Sequence, residues 1–287
     1  MCRFSFYLGR PIVLSSLVTE PAHSVVHQSF QSREREDPIN ADGFGVAWYA
    51  PEHSPDPAVF KSVNPAWSNR NLHDLARVVA SHCILAHVRA ATQQLEVSEV
   101  NCHPFTRGPF AFMHNGDAGG FRKWRRQLLA HLSPESFDAI HGTTDSEHLF
   151  ALLFDEIRRR NGEVPSVDTM ADALRLTIDR VLRLARECEA EEHFYLNLVL
   201  TDGASAVACR FTTDSPANAD SLYLNEGMRY VCESGVCRML ASPDEPGAVI
   251  VSSEPLSEDP GWHEIPVNAL VKISRDRSVT IEQCGVG

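Results

Sequence analysis

The hydrophobic period of this chain changes twice, and those changes limit the folds open to it. From the N-terminus, apolar residues come in short runs rich in β-branched and aromatic side chains: Arg3–Gly9, Gly43–Tyr49, Ala58–Val63, Cys83–Val88 and Phe110–His114. Runs of that length and content predict strands. The period then lengthens. Phe121–Leu132 reads as helical, and Asp145–Arg160 puts Leu149, Phe150, Leu153, Phe154 and Ile157 on one helical face before Gly162 ends it. Val167–Glu189 carries Leu174, Ile178, Val181, Leu182 and Leu184 on or near one stripe. Strand-like runs resume at Phe194–Thr201, Ser205–Phe211, Ser221–Leu224, Ala248–Ser252, Ala269–Ser274 and Ser278–Gln283, with Ser253–Pro266 expected as a long loop. Strands, then helices, then strands predict an α+β fold with helices segregated onto the outer faces of sheets. The expectation is one domain over 1–287, with strand order left open.

The formal net charge of −12, without a basic stripe, argues against a nucleic-acid or anionic-membrane partner. Arg122–Arg126 and Arg158–Arg160 fall on expected helices and read as solvated faces. No apolar run reaches the about 18 residues of a membrane span, and Met1-Cys2-Arg3-Phe4 does not open like a signal peptide. The eight cysteines form no C-x-x-C pair, which fits a reduced, cytoplasmic compartment; Cys232 and Cys237, close in sequence, read as two unrelated thiols, with a disulfide or a metal pair as the alternative.

Five stretches carry chemistry, and each also has a plain structural reading. Cys2, if Met1 is removed, presents a thiol beside a free α-amine that can serve as its base; otherwise it is a buried cysteine opening an edge strand. Arg89, in His87–Thr92 at a strand end, can fork onto a carboxylate or make a surface ion pair. His114-Asn115-Gly116 can supply an oxyanion hole from the Asn amide and the Gly N–H, or a tight hairpin turn. Thr144 and Glu147 form a capping box, while Asp145 can bind a substrate ammonium or complement the helix dipole. His103, in Ser98–Phe105, reads as structural, since no second ligand stands at metal spacing.

Taken in order, Cys2, Asp42-Gly43-Phe44-Gly45, His87–Thr92, Glu99–Pro104, His114–Gly116 and Thr144–Glu147 resemble the class II glutamine amidotransferases, a family of N-terminal-nucleophile hydrolases. The likeness covers roughly the first half of the chain, up to Glu147. It implies a four-layer αββα sandwich. It also assigns Cys2 as nucleophile, Asn115 and Gly116 to the oxyanion hole, and Arg89, Asp145, Thr92 and His114 to substrate binding, with no metal or cofactor. Pro21–Ser24, Gln28–Phe30 and Asn64–Trp67 look like a stand-alone subgroup. That subgroup includes the amidotransferase-like subunit of a glutathione-degradation complex and the γ-glutamyl hydrolase of ergothioneine synthesis. Ala90 and Asp117 depart from the usual pattern, which puts an aromatic and an apolar residue there. The expected substrate is a small γ-glutamyl compound. Three readings follow: a γ-glutamyl hydrolase, with or without a peptidase partner; a glutaminase subunit feeding ammonia to a separate synthase; and a non-catalytic scaffold. Homo-oligomerisation stays open.

Overall fold

The computed structural model of the chain describes residues 2–34, 39–90, 97–160, 165–233, 235–240 and 247–285. Its strands are β1 (Arg3–Val13), β2 (Phe44–Trp48), β3 (Ala58–Ser62), β4 (Ala80–Val88), β5 (Phe105–Arg107), β6 (Phe110–Asp117), β7 (Tyr195–Thr201) and β8 (Ala206–Thr212). They continue with β9 (Tyr223–Gly227), β10 (Arg229–Glu233), β11 (Val236–Leu240), β12 (Ala248–Ser252), β13 (His263–Glu264), β14 (Ala269–Ile273) and β15 (Val279–Gln283). The helices are α1 (Ser15–Val18), α2 (Val25–Gln28), α3 (Arg70–Val78), α4 (Phe121–His131), α5 (Pro134–Asp138), α6 (Asp145–Arg160) and α7 (Val167–Glu187).

Two large sheets form. One has strand order β13-β9-β12-β1-β4-β2-β3 and the other β15-β14-β8-β7-β6-β5. Strand alternation sorts the side chains into layers. In β1, Phe4, Phe6 and Leu8 point between the sheets, while Tyr7 points outward against α1 and α2 residues such as Leu17 and Val26. In β6, Ala111 and Met113 point between the sheets, whereas Phe110 and Phe112 meet α6 and α7 on the other side. The result is helix, sheet, sheet, helix: the four-layer αββα arrangement.

Each interlayer space is filled by apolar side chains, and complete burial of one Leu or Phe contributes about 1.5–3 kcal/mol. The expected helical stripes do that work. Leu174, Ile178 and Val181 of α7 are all buried, as are Leu149, Leu153 and Ile157 of α6. Arg122, Arg126 and Arg158–Arg160 are exposed as anticipated, but Arg125 is half-buried and donates to His148 Nε2 at 3.1 Å.

Two expectations need correction. Cys232 and Cys237 are not unrelated thiols: they face each other across the β10–β11 hairpin and form a disulfide, with Cα atoms 4.0 Å apart. The capping box at α6 is also only half formed. Thr144 Oγ1 accepts from Glu147 N (3.2 Å), but the Glu147 carboxylate takes His141 N (3.0 Å) and Gly142 N (2.7 Å) instead of reaching back to Thr144.

Candidate active site

Cys2 stands immediately before β1, on the Phe4 side of the pleat by alternation, and is half-buried. Its thiol donates to Ala90 O at 3.6 Å. β1 pairs antiparallel with β4, Arg3 opposite Val88, so the segment leaving β4 with Arg89 and Ala90 passes beside Cys2. Arg89 is 3 % exposed, which removes the surface ion-pair reading. Its backbone is held on both sides: Arg89 N donates to Gly43 O (2.8 Å) and Asp42 N to Arg89 O (3.0 Å). The glycines of Asp42-Gly43-Phe44-Gly45 earn their place through close approach. A β-carbon on Gly45 would lie 2.1 Å from His103 O, so only glycine lets the His103 segment pack over β2.

The second sheet brings Asn115. The Asn115-Gly116 pair does not form a hairpin turn; it lies inside β6, paired with Asn197 and Leu196 of β7. Asn115 shares the inter-sheet face with Met113 and is 0 % exposed. Its amide is barely engaged. Nδ2 donates to Ser253 Oγ at 3.5 Å, and Oδ1 has no hydrogen-bond partner among the described residues. A buried amide costs free energy when left unsatisfied, so such a group is expected where a ligand completes it. Gly116 sits at φ +154°, and a β-carbon there would fall 1.7 Å from Tyr195 O.

Ser253 ties the two sheets together here. Its Oγ accepts from Phe4 N (3.0 Å) as well as from Asn115 Nδ2, and its own N–H donates to Phe4 O (2.9 Å). Cys2, Arg89 and Asn115 are thereby brought to one end of the inter-sheet space.

The other candidates lie differently. His114 points to the helix layer, with Nδ1 2.9 Å from Ser146 Oγ and Nε2 3.2 Å from Tyr195 O, so both ring nitrogens are engaged by protein atoms. It joins β6 to the start of α6. Asp145 accepts from Ala118 N (2.8 Å) and Ser146 N (2.7 Å), leaving its side chain 15 % exposed. Asp117 is exposed beside it. Its carboxyl is nevertheless held above the usual range, first by partial desolvation and then by the Asp145 charge. Thr92 lies outside the described residues.

Burial keeps two histidines near the site, His87 and His103, neutral. Burial pushes His87 down to about 3, and its Nε2–H donates to His114 O at 3.2 Å. His103 stacks on His87 with ring centroids 4.2 Å apart and is held well below its ordinary value, again by burial. Among the described residues no group of three or more His, Cys, Asp or Glu could hold a metal ion, and no helix is long and apolar enough to cross a membrane.

Sequence reasoning missed Arg3, Ser253 and Glu254. The signal was available: Arg3 is the only charge in the apolar run that opens β1, at a position whose neighbours on its face are Ser5 and Tyr7.

A family model for class II glutamine amidotransferases matches residues 14–284. The chain belongs to that family. Over 295 residues it is 39% identical to a probable glutamine amidotransferase of Saccharomyces cerevisiae, covering 96% of this chain and 82% of the yeast protein. A γ-glutamyl-hercynylcysteine sulfoxide hydrolase of Mycobacterium tuberculosis is 27% identical over 282 residues, covering 98% of this chain and 96% of its own length. Among solved structures, a glutamine aminotransferase class-II domain protein from Silicibacter pomeroyi superposes at TM-score 0.68 with 28% identity, covering 99% of this chain and 100% of that one. Glutamine PRPP amidotransferase of Bacillus subtilis superposes at TM-score 0.58 with 13% identity over 100% of this chain and 50% of its own, a likeness of fold alone. This amidotransferase is thus an amidohydrolase of the N-terminal-nucleophile type of fold, and its substrate is a small molecule.

Proposed function

We propose that the protein, as one amidotransferase domain over 1–287, hydrolyses a γ-glutamyl amide bond through a thioester on Cys2. With Met1 removed, the Cys2 amine takes the thiol proton and the thiolate attacks the side-chain carbonyl of the γ-glutamyl group. The tetrahedral oxyanion sits against Asn115 Nδ2 and the Gly116 N–H. The amine leaves carrying the proton from the Cys2 ammonium. Water, deprotonated by the same amine, then releases glutamate. Arg89 takes the α-carboxylate of the γ-glutamyl group and Asp145 its α-ammonium, with Thr92 on the substrate side and His114 acting on substrate binding through the start of α6, where it meets Ser146 beside Asp145. The observation that supports this reading is that Asn115 of the second sheet bonds to Ser253 Oγ, which also accepts from Phe4 N, two residues after Cys2 on the first sheet. The name of the mycobacterial relative favours a γ-glutamyl compound.

The test is glutamate release by Met1-free protein, confirmed by intact mass, from glutamine, glutathione and a set of γ-glutamyl amines. Replacing Cys2 by Ala should lower kcat by at least about 10⁴-fold while leaving the melting temperature in place. Activity retained in Cys2→Ala overturns the mechanism. A competing reading, favoured by the name of the yeast relative, is a glutaminase that passes ammonia to a synthase. Turnover of γ-glutamyl peptides faster than glutamine by the isolated protein decides against it.

A further inference from the structure

Behind Cys2, on the outer face of the first sheet, lies a fully buried charged cluster. Glu254 is 0 % exposed, Arg3 1 %, His23 2 % and Ser32 7 %. Glu254 Oε1 accepts from Arg3 Nε (2.7 Å), from Ser32 Oγ and from Glu34 N (3.3 Å). Its Oε2 meets His23 Nε2 at 2.5 Å and accepts from Arg33 N at 2.9 Å. The guanidinium then spends its next nitrogen on the nucleophile's own backbone: Arg3 Nη1 donates to Cys2 O at 2.9 Å, while Arg3 Nε also reaches Ser32 Oγ at 3.1 Å.

Stability alone is a poor reason for such a cluster. Taking a carboxylate and a guanidinium out of water costs several kcal/mol per ion, and an apolar pair of similar volume is often as stable or more so. What an apolar pair cannot do is hold the Cys2 carbonyl. An N-terminal residue has no preceding peptide bond to restrain it, and chain ends fray unless tied down. Fixing the Cys2 carbonyl restricts rotation about the Cα–C bond, and with it the direction in which the amine and the thiol leave Cα. The rigid fork of Arg serves both bonds at once, Nε to Glu254 and Nη1 to Cys2, which the single ammonium of Lys does not reproduce.

We propose that Glu254 is a positioning residue for the reaction. Through Arg3 it fixes the main chain of Cys2, so that amine and thiol face the substrate carbonyl together. This rests on the reading of Cys2 as nucleophile. The cluster also reaches the loop after α2 through Ser32, Arg33 N and Glu34 N, so with Arg3 of β1 and His23 before α2 one carboxylate holds three segments together behind the nucleophile.

The experiment uses Met1-free, full-length Glu254→Gln and the double variant Arg3→Met with Glu254→Gln, which removes both buried charges and keeps the fold testable if the single variant unfolds. Two quantities are read: kcat and KM on the best γ-glutamyl substrate, and the rate at which iodoacetamide alkylates Cys2, followed on the N-terminal peptide. For folded variants the expected result is a fall in kcat of about 10–100-fold with KM within about 3-fold, and a changed alkylation rate. Both variants within about two-fold of wild type in kcat and alkylation rate overturn the proposal. Wild-type Cys2 that resists alkylation, together with an active Cys2→Ala variant, overturns instead the nucleophile reading, and the positioning role falls with it.

Discussion

The two outer faces of the sandwich are built on different principles. Between the second sheet and α4, α6 and α7 the largest apolar cluster forms, with Phe112 stacked on Phe150 at 5.3 Å and Trp124 on Phe194 at 5.9 Å, and the buried polar groups there, such as His114, Ser146 and Asp155, bond among the helices, their turns and β6 and not to Cys2. Between the first sheet and α1–α3 an apolar cluster is also present, but Arg3, His23, Gln28, Ser29, Asn40 and Glu254 are buried on that side. Apolar burial is non-directional and tolerates small shifts. A charged hydrogen-bond network fixes atoms at particular distances and is costly if one member is lost. The helix-rich face is therefore read as the source of stability, and the polar face as the source of position, because the polar face is the one that touches Cys2.

That division can be broken by variants with opposite signatures. Asn115→Ala should give the largest effect on rate: losing one oxyanion donor costs about 10²–10³-fold in kcat. Since Asn115 Oδ1 has no partner among the described residues, the thermal midpoint should hardly move. A large fall in stability with kcat preserved would make Asn115 a structural residue. Ile178→Ala on α7 should do the reverse, lowering unfolding free energy in denaturant by about 2–5 kcal/mol with kcat per folded molecule unchanged.

The same contrast decides how much of the molecule was legible in the sequence. α6 was bounded at Asp145–Arg160 and α7 to within two residues, because long helices with a wide apolar stripe announce themselves. α3 was missed: only Leu72 and Ala76, four residues apart, are buried, too narrow a stripe to separate from a polar loop. β10 and β11 are not legible either: the spacing of Cys232 and Cys237 allows a disulfide without favouring it, and only the cross-strand register brings the two together. At the site, Cys2, Arg89 and Asn115 were legible through local motifs. Arg3 stands out locally as a lone charge in an apolar run, but its partner Glu254 is 251 residues away in sequence and nothing local marks the pairing. Asn115-Gly116, the strongest turn signal in the chain, was overridden by pairing to β7, where the Gly leaves room for Tyr195 O.

Acid should separate the faces more gently. Glu254 is held below the ordinary carboxylate range: burial opposes this, but bonds from His23, Ser32, Arg33 N and Arg3 outweigh it. A depressed carboxylate contributes stability that is present above the unfolded value of about 4.3 and lost as pH falls through the folded value. Burial lowers His87 to about 3 and His148 to about 4, so their contribution begins to decline earlier, below the unfolded value of about 6.5. Unfolding free energy measured against pH should therefore sag below about pH 6.5 and steepen below about pH 4.3. In Glu254→Gln the second part should be shallower, the remainder coming from other depressed carboxylates such as Asp214 and Asp155, and the deficit relative to wild type should shrink as pH falls. A constant deficit from pH 7 to pH 3 would mean that Glu254 does not carry the charge ascribed to it.

The smallest effect belongs to the boundary between the two principles, the start of α6. Thr144 Oγ1 caps the helix by accepting from Glu147 N, and losing such a cap costs about 1 kcal/mol, readable in a denaturant midpoint. Yet Glu147 separately holds His141 N and Gly142 N, and Asp145 separately holds Ala118 N. Thr144→Ala should therefore weaken α6 without moving Asp145, and KM for the γ-glutamyl substrate should stay at its wild-type value. A raised KM would show that the first turn of α6 is shifted by losing its cap. The helix-rich face would then share in positioning the substrate, and the division between the two faces would hold for the nucleophile but not for the ammonium end of the site.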